Sequence, residues 1–311
     1  MLTNPMEVLT AFPVRKSKKQ KQAFRDAVQA YASACGYACT EEQGSLGSRN
    51  LVMGDPNTAD YLITAHYDTC ARLPFPNLIT PCNPLLFVLY QLFVTILILA
   101  ATVAGCWVVY LLTKQVMISM WVAYVLLWGF ILLMLVGPAN PHNANDNTSG
   151  VVTVLEIARS LPENLRSRVC FVLFDLEEAG LIGSASYRKR HKQKCIQQIV
   201  LNLDCVGDGD EILFFPTAKL RKDPIKMKWL QQYDSKYGAK TIRVHRKGFA
   251  VYPSDQANFP YGVGICALRR SKWAGLYLSR IHTGRDTVLE KTNVNILRAC
   301  LISLIARQAG E

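Results

Sequence analysis

The stretch SRVCFVLFDLEEAGLIGSASY, residues 167–187, has the pattern of one strand and one helix of an α/β sheet. Its first half is an unbroken apolar run, which predicts a strand buried on both faces, and its second half predicts a helix. Between them, Glu177 and Glu178 stand side by side at the end of the predicted strand. Carboxylates are rarely buried unless they are paired or bind a metal. The pair therefore marks either a solvated loop or a functional site.

The same alternation of strand and helix continues on both sides of this stretch. Further strands are predicted at 50–55, 60–66, 198–204 and 262–268, and further helices at 18–37, 147–162, 223–238 and 291–308. Continuous apolar strands that alternate with helices predict an α/β domain with a mostly parallel central sheet.

The composition limits the class of partner. The chain has 311 residues and a net charge of +12, which favours contact with anionic surfaces. Anionic lipid is preferred to nucleic acid, because basic runs such as RKSKKQKQAFR, residues 15–25, lack the regular aromatic residues of a base-stacking surface. We interpret these runs as solvated helix faces and expect no nucleic-acid partner.

The ten cysteines form no CxxC pair, and most stand in apolar runs. With no signal-peptide pattern at the start of the sequence, they are expected to be reduced thiols in a reducing compartment.

Two long apolar segments, 84–113 and 116–137, interrupt the α/β pattern. Each exceeds the roughly 20 residues that cross a bilayer, and only Lys114-Gln115 separates them. They predict a two-helix transmembrane hairpin that divides one soluble domain into residues 1–83 and 138–311, with the hairpin at 84–137. A pair of buried core helices is the alternative, which their length disfavours. The expected location is the cell membrane, with the soluble domain in the cytoplasm.

Candidate ligands for a metal follow the predicted strands. His66 ends one strand and is followed by Asp68, the glutamate pair follows a second strand, and Asp204 ends a third. Asp146 stands at the start of a helix and His282 in a late loop. Sites in open α/β sheets form at the carboxyl ends of strands, so these groups are expected to meet. So many acids would repel one another without divalent cations, and imidazole with carboxylate suits zinc.

Five ordered motifs make the comparison with a known family specific. They are AHYDT at 65–69, NDNTSG at 145–150, DLEEAGLIGS at 175–184, NLD at 202–204 and HTGRDT at 282–287. Together they resemble the co-catalytic di-zinc peptidases of family M28, of aminopeptidase type. The resemblance implies a three-layer sandwich of the phosphorylase/hydrolase-like zinc exopeptidase fold, and an exopeptidase that cleaves peptides.

The resemblance also implies roles for single residues. His66 and Asp204 would hold one zinc, Glu178 and His282 a second, and Asp146 both, although other divalent metals can use such ligands. Glu177 would be the general base. Asp68 would orient the His66 imidazole. Gln256 stands where the family commonly has histidine, and Tyr252 is a weakly aligned candidate to assist the oxyanion. A glutaminyl-cyclase-like acyl transferase and a non-catalytic membrane receptor or scaffold are the alternative functions, and the oligomeric state is open.

Overall fold

Ten strands form one sheet in the computed structural model, which describes residues 2–246, 248 and 250–307. The strands are β1 Cys39–Gln43, β2 Arg49–Met53, β3 Tyr61–His66, β4 Val169–Phe174, β5 Ile199–Leu203, β6 Glu211–Pro216, β7 Ser235–Tyr237, β8 Lys240–Val244, β9 Tyr261–Ser271 and β10 Gly275–Tyr277. The helices are α1 Val8–Ala11, α2 Lys18–Ala34, α3 Pro84–Thr113, α4 Val116–Val136, α5 Gly150–Ser160, α6 Ile182–Arg190, α7 Lys192–Cys195, α8 Ala218–Arg221, α9 Pro224–Gln231 and α10 Lys291–Arg307.

The sheet is mixed rather than mostly parallel: beyond its four neighbouring parallel strands, β6 pairs antiparallel with β9 and parallel with β8. The strand order is β1-β2-β4-β3-β5-β9-β6-β8-β7, with β10 paired to β9. The neighbours β4, β3, β5 and β9 run parallel, whereas β1, β2 and β7 pair antiparallel. The predicted α/β class is confirmed, and the four parallel strands are among the five that the sequence predicted, the fifth being the antiparallel β2.

Helices cover both faces of this sheet. One apolar layer contains Phe24 of α2, Val154 of α5 and Leu297 of α10, all fully buried against the strands. The opposite layer contains Tyr187 of α6 and Cys195 of α7. Burying apolar area on both faces of a parallel sheet requires this three-layer arrangement.

The predicted helix at 223–238 is wrong in its second half. Helix α9 ends at Gln231, and residues Ser235–Tyr237 form β7 on the edge of the sheet. The carboxylate of Asp234 accepts a hydrogen bond of 2.7 Å from the Val244 backbone N–H, which joins the start of β7 to the end of β8. Gly238, at a φ of 62°, makes the turn between these two strands.

The two apolar segments form an antiparallel pair of helices, α3 and α4. Their most apolar windows are only 11% and 6% buried, with mean hydropathies of 2.5 and 2.3. Helices of a soluble core would be mostly buried, so this alternative is wrong. The chain returns to the domain beside its point of departure, because Ala71 and Ala139 form a β-bridge.

Candidate metal centre

Three parallel strands deliver four of the predicted site residues to one edge of the sheet. His66 is the last residue of β3, and Asp204 directly follows the neighbouring β5. Glu177 and Glu178 follow β4, which pairs with the other side of β3. Because parallel strands end at the same edge, these side chains converge although they are far apart in sequence.

Asp146 reaches the same point from an irregular turn before α5. The Asp286 carboxylate fixes this turn by accepting hydrogen bonds from the backbone N–H groups of Asn145, at 2.7 Å, and Asp146, at 2.9 Å. The side chain of Asn147 donates to the Leu203 carbonyl at 2.9 Å and so anchors the turn to β5. Asp286 belongs to the HTGRDT motif, but its supporting role was not predicted from the sequence.

The Asp146 carboxylate lies between two groups of side chains. One oxygen is 3.2 Å from Nε2 of His66, which is 3.7 Å from the Asp204 carboxylate. The other oxygen is 2.9 Å from Nε2 of His282, which is 3.4 Å from the Glu178 carboxylate. The five predicted ligands therefore form two groups of three that share Asp146.

These distances fit zinc. Ligand atoms at about 2.0–2.2 Å from a tetrahedral zinc ion lie about 3.3–3.6 Å from one another, close to the observed separations. One oxygen of Glu178 and one of Asp204 are buried and have no hydrogen-bond partner among the described residues. Buried polar atoms are normally paired, so these two are suited to hold a cation.

The electrostatics of the centre show an excess of acid. Burial raises the pKa of Glu178 to about 8, with a further contribution from Asp146. Burial also raises the pKa of Glu177 well above its usual range, and the Glu178 charge adds to the effect. Burial acts against the charged form of His282, but Glu178 and Asp146 outweigh it and raise the His282 pKa to about 9. Bound cations would remove this cost and keep the carboxylates ionised.

Asp68 joins the centre to the glutamate pair. Its carboxylate is 3.5 Å from Nδ1 of His66 and accepts the backbone N–H groups of Glu177, at 3.0 Å, and Glu178, at 3.2 Å. Burial raises the pKa of Asp68, but the contacts with His66 and these N–H groups outweigh it and lower the pKa. The side chain can therefore orient His66, as the resemblance implies, and also fixes the loop that carries Glu177 and Glu178.

Arg15 supports the metal centre, and this role was not predicted from the sequence. The basic run 15–25 was interpreted as a solvated helix face, which is wrong for Arg15 because its side chain is fully buried. Its guanidinium donates to the Tyr67 carbonyl at 2.5 Å and to Thr148 Oγ1 at 3.2 Å. Arg15 thus connects the loop after His66 with the turn that carries Asp146, and it places a positive charge behind the acids.

Two cysteine thiols lie beside the ligand groups. The thiol of Cys70 is within 4.8 Å of ligand atoms of Glu178 and His282, and that of Cys205 lies equally close to Asp146 and Asp204. Burial raises the pKa of both thiols well above the usual range. All ten cysteines are free, as expected, although Cys82 is exposed.

Tyr252 and Gln256 have defined structural partners. The Tyr252 hydroxyl donates to the Asp204 carbonyl at 2.8 Å, and its ring stacks on Phe215 at 5.4 Å. Gln256 is buried, and its side chain accepts from Asn202 at 3.0 Å and donates to the Tyr252 carbonyl at 2.8 Å. Gln256 therefore fixes its loop against β5, and the Tyr252 hydroxyl is already engaged at the wall of the centre.

A cavity of about 340 Å³ lies over the ligand groups. Its polar floor includes His66, Asp146, Glu177, Glu178, Asp204 and His282. Its walls are apolar and include Ile79, Leu278, Ile281 and Phe87, the last from the first turn of α3. We call this space the catalytic cavity.

Comparisons with known proteins identify the family and the fold. The model of the family described as Peptidase family M28 matches residues 133–303, more than half of the chain. The LapA aminopeptidase of Legionella pneumophila superposes with a TM-score of 0.60 at 15% identity, over 99% of this chain and 72% of its own. A Porphyromonas gingivalis glutaminyl cyclase superposes with a TM-score of 0.61 at 16% identity, over 98% of this chain and 96% of its own. A Macrostomum lignano glutaminyl cyclase superposes with a TM-score of 0.53 at 11% identity, over 98% of this chain and 90% of its own. At these identities the likeness is one of fold, and no curated protein matches the sequence.

Proposed function

The chain belongs to peptidase family M28, and from that premise we propose that it is a membrane-anchored zinc aminopeptidase with two metal ions. The division of the Asp146 carboxylate between two ligand groups, at 3.2 Å and 2.9 Å, carries this proposal. His66, Asp146 and Asp204 would hold one zinc, and Asp146, Glu178 and His282 the other. All these ligands are present and converge, which argues against a scaffold that has lost its chemistry.

The chemistry divides between the metal and Glu177. Bound zinc supplies a Lewis acid that lowers the pKa of water and polarises the scissile carbonyl. The Glu177 carboxylate takes the proton of the attacking water and delivers it to the leaving amine. Its carboxylate lies within 4.8 Å of ligand atoms of His66 and Asp204, which is close enough to the metal position for this transfer. Asp68 holds the backbone of Glu177 and so fixes where that carboxylate points.

The anchor in this proposal is the hairpin of α3 and α4. Their lengths of 30 and 21 residues are sufficient for spans, and their exposed apolar surfaces need a non-aqueous environment. The +12 charge and the free cysteines favour a cytoplasmic domain. A membrane-impermeant maleimide tests this side through exposed Cys82, with Cys82→Ser as the control. Labelling in sealed cells would contradict the cytoplasmic orientation, whereas labelling only after lysis supports it.

The activity is tested on a set of short peptides by mass spectrometry. An aminopeptidase removes the first residue from a peptide with a free amino terminus and leaves its N-acetylated copy intact. A glutaminyl cyclase would instead release ammonia from an N-terminal glutamine without cleaving the chain. Glu177→Gln is expected to lower turnover by about 10²- to 10⁴-fold, while Glu163→Gln, an exposed glutamate in the turn before β4, leaves it unchanged. Unchanged turnover in Glu177→Gln would refute the mechanism.

A further inference from the structure

We propose that the substrates are peptides held in the bilayer by an apolar segment, and that this segment lies in an apolar cavity at the base of the hairpin. This inference rests on the proposed peptidase function and names its substrate class. We call this space the hairpin cavity.

The hairpin cavity has a volume of about 590 Å³ and almost purely apolar walls. Its sides come from both helices and include the exposed residues Leu97 and Ala101 of α3 and Leu133 of α4. The segment Pro74–Leu78 covers it on the domain side, where the Tyr90 hydroxyl donates to the Pro76 carbonyl. Such walls offer little to a polar ligand and suit aliphatic chains.

The hairpin cavity lies at the depth of lipid tails. A Cβ at Gly105 would contact Leu126, and this antiparallel register sets Val136, the end of α4, level with Thr95. The wall residues Leu97 to Ala101 follow Thr95 along α3, so at 1.5 Å per residue they lie about 3–9 Å farther from the domain than the end of α4. The 21 residues of α4 span roughly the 30 Å hydrocarbon thickness of a bilayer. The cavity thus faces the leaflet next to the domain.

A thin partition separates the hairpin cavity from the catalytic cavity. Ile79 and Leu278 form a β-bridge with backbone hydrogen bonds of 2.9 Å and 2.8 Å. These two residues line the catalytic cavity, whereas the adjacent Leu78 and Ser279 line the hairpin cavity. This one isolated β-bridge therefore separates the metal centre from the leaflet-facing space.

A third space adjoins both the metal ligands and the hairpin cavity. It has a volume of about 430 Å³ and reaches Glu178 and His282 from the end of α4. Met134 lines both this space and the hairpin cavity. A chain with one end at the metal ligands can therefore continue past the flexible Met134 side chain into the leaflet.

An apolar peptide fits these spaces better than a bilayer lipid does. The apolar walls of the catalytic cavity suit an apolar first residue, and Phe87 of α3 contributes directly to them. The same substrate would then place apolar side chains at the metal centre, past Met134 and in the hairpin cavity. A lipid tail would fill the last of these and leave the connection to the ligands without a role.

The test uses the full chain in vesicles of neutral phosphatidylcholine and two peptides with the same first residues. One peptide ends in a polar tail and the other in a long Leu/Ala-rich tail. The wild type is expected to have a kcat/KM at least about tenfold higher for the apolar peptide, as burial of even one leucine side chain would give. Ala101→Trp fills the hairpin cavity and should lower the apolar-to-polar ratio of kcat/KM by about tenfold. Ala100→Trp, at an exposed alanine of the same helix that does not line the hairpin cavity, is the matched control and should leave the ratio unchanged.

The outcomes separate the two proposals. If neither peptide is cleaved by the wild type, the peptidase function itself falls. If both are cleaved without preference for the apolar one, the function stands and the membrane substrate is refuted. Equal losses for both peptides in Ala101→Trp would also refute it and assign the hairpin cavity to a structural lipid.

Discussion

Replacing Asp286 by Asn tests whether the Asp146 turn is built to hold metal. The buried Asp286 carboxylate accepts two backbone N–H groups, at 2.7 Å and 2.9 Å, on the residues that present Asp146. Asparagine keeps one acceptor oxygen and turns its amino group toward a donor, so one charge-assisted bond is lost. Such a bond contributes about 1.5–3 kcal/mol. If this loss appears in metal binding, zinc affinity falls about 10- to 100-fold, at about 1.4 kcal/mol for each tenfold change.

The assay is competition for zinc with a chelating indicator on detergent-solubilised protein. Asp223→Asn is the matched control, because that carboxylate also accepts a backbone N–H, from Lys226 at 3.1 Å, but at the start of α9. Circular dichroism and thermal unfolding establish that each variant is folded. Wild-type zinc affinity in folded Asp286→Asn would refute the assignment of this turn to the metal centre.

Three further predictions concern the ligands, the metal and pH. Glu178→Gln should lower the zinc content of purified protein, measured by elemental analysis, whereas Glu177→Gln should retain it; equal contents would contradict their separate roles. Removal of zinc by a chelator should lower the Tm. Free zinc at a hundred times its Kd should raise the free energy of unfolding of the metal-free protein by about 2.7 kcal/mol. A Tm that does not change with zinc would argue against a metal site in the folded state. Burial raises the pKa of Glu41, but hydrogen bonds and charges from Arg49 and Arg25 outweigh it and lower that pKa. The ionised Glu41 therefore adds to the free energy of unfolding at pH values above the usual carboxyl pKa, and this stabilisation is lost as the pH falls through the lowered pKa. Glu41→Gln should therefore lower the free energy of unfolding, measured with urea, by about 1–2 kcal/mol near neutral pH and by less toward about pH 3. A loss that does not depend on pH would contradict this.

The sequence predicted the centre of the molecule better than its edges. Buried parallel strands such as β3, β4 and β5 need continuous apolar residues, so both the strands and the side chains after them are readable. Edge strands such as β1, with the sequence CTEEQ, are short and polar and carry no comparable pattern. β7 was taken as helix because only its pairing with β8 makes it a strand.

Supporting residues of the centre were harder to predict for a different reason. Arg15 belongs to a run of charges, and nothing local distinguishes a buried arginine from its solvated neighbours. Its role depends on Tyr67 and Thr148, which only the tertiary fold brings to it. The closeness of Phe87 and Met134 to the centre likewise depends on how the hairpin meets the domain.

The place of the hairpin in the chain orders the steps of biogenesis. Of the five proposed ligands, only His66 is synthesised before α3, and the other four follow α4. The bridge between Ala71 and Ala139 can form only when α3 and α4 have folded back on each other, so that the outer ends of the hairpin meet. The metal ligands are therefore brought together only after the hairpin has closed. A chain whose hairpin had not closed would keep His66 apart from the four later ligands, so under the proposed function hairpin closure would come before metal binding.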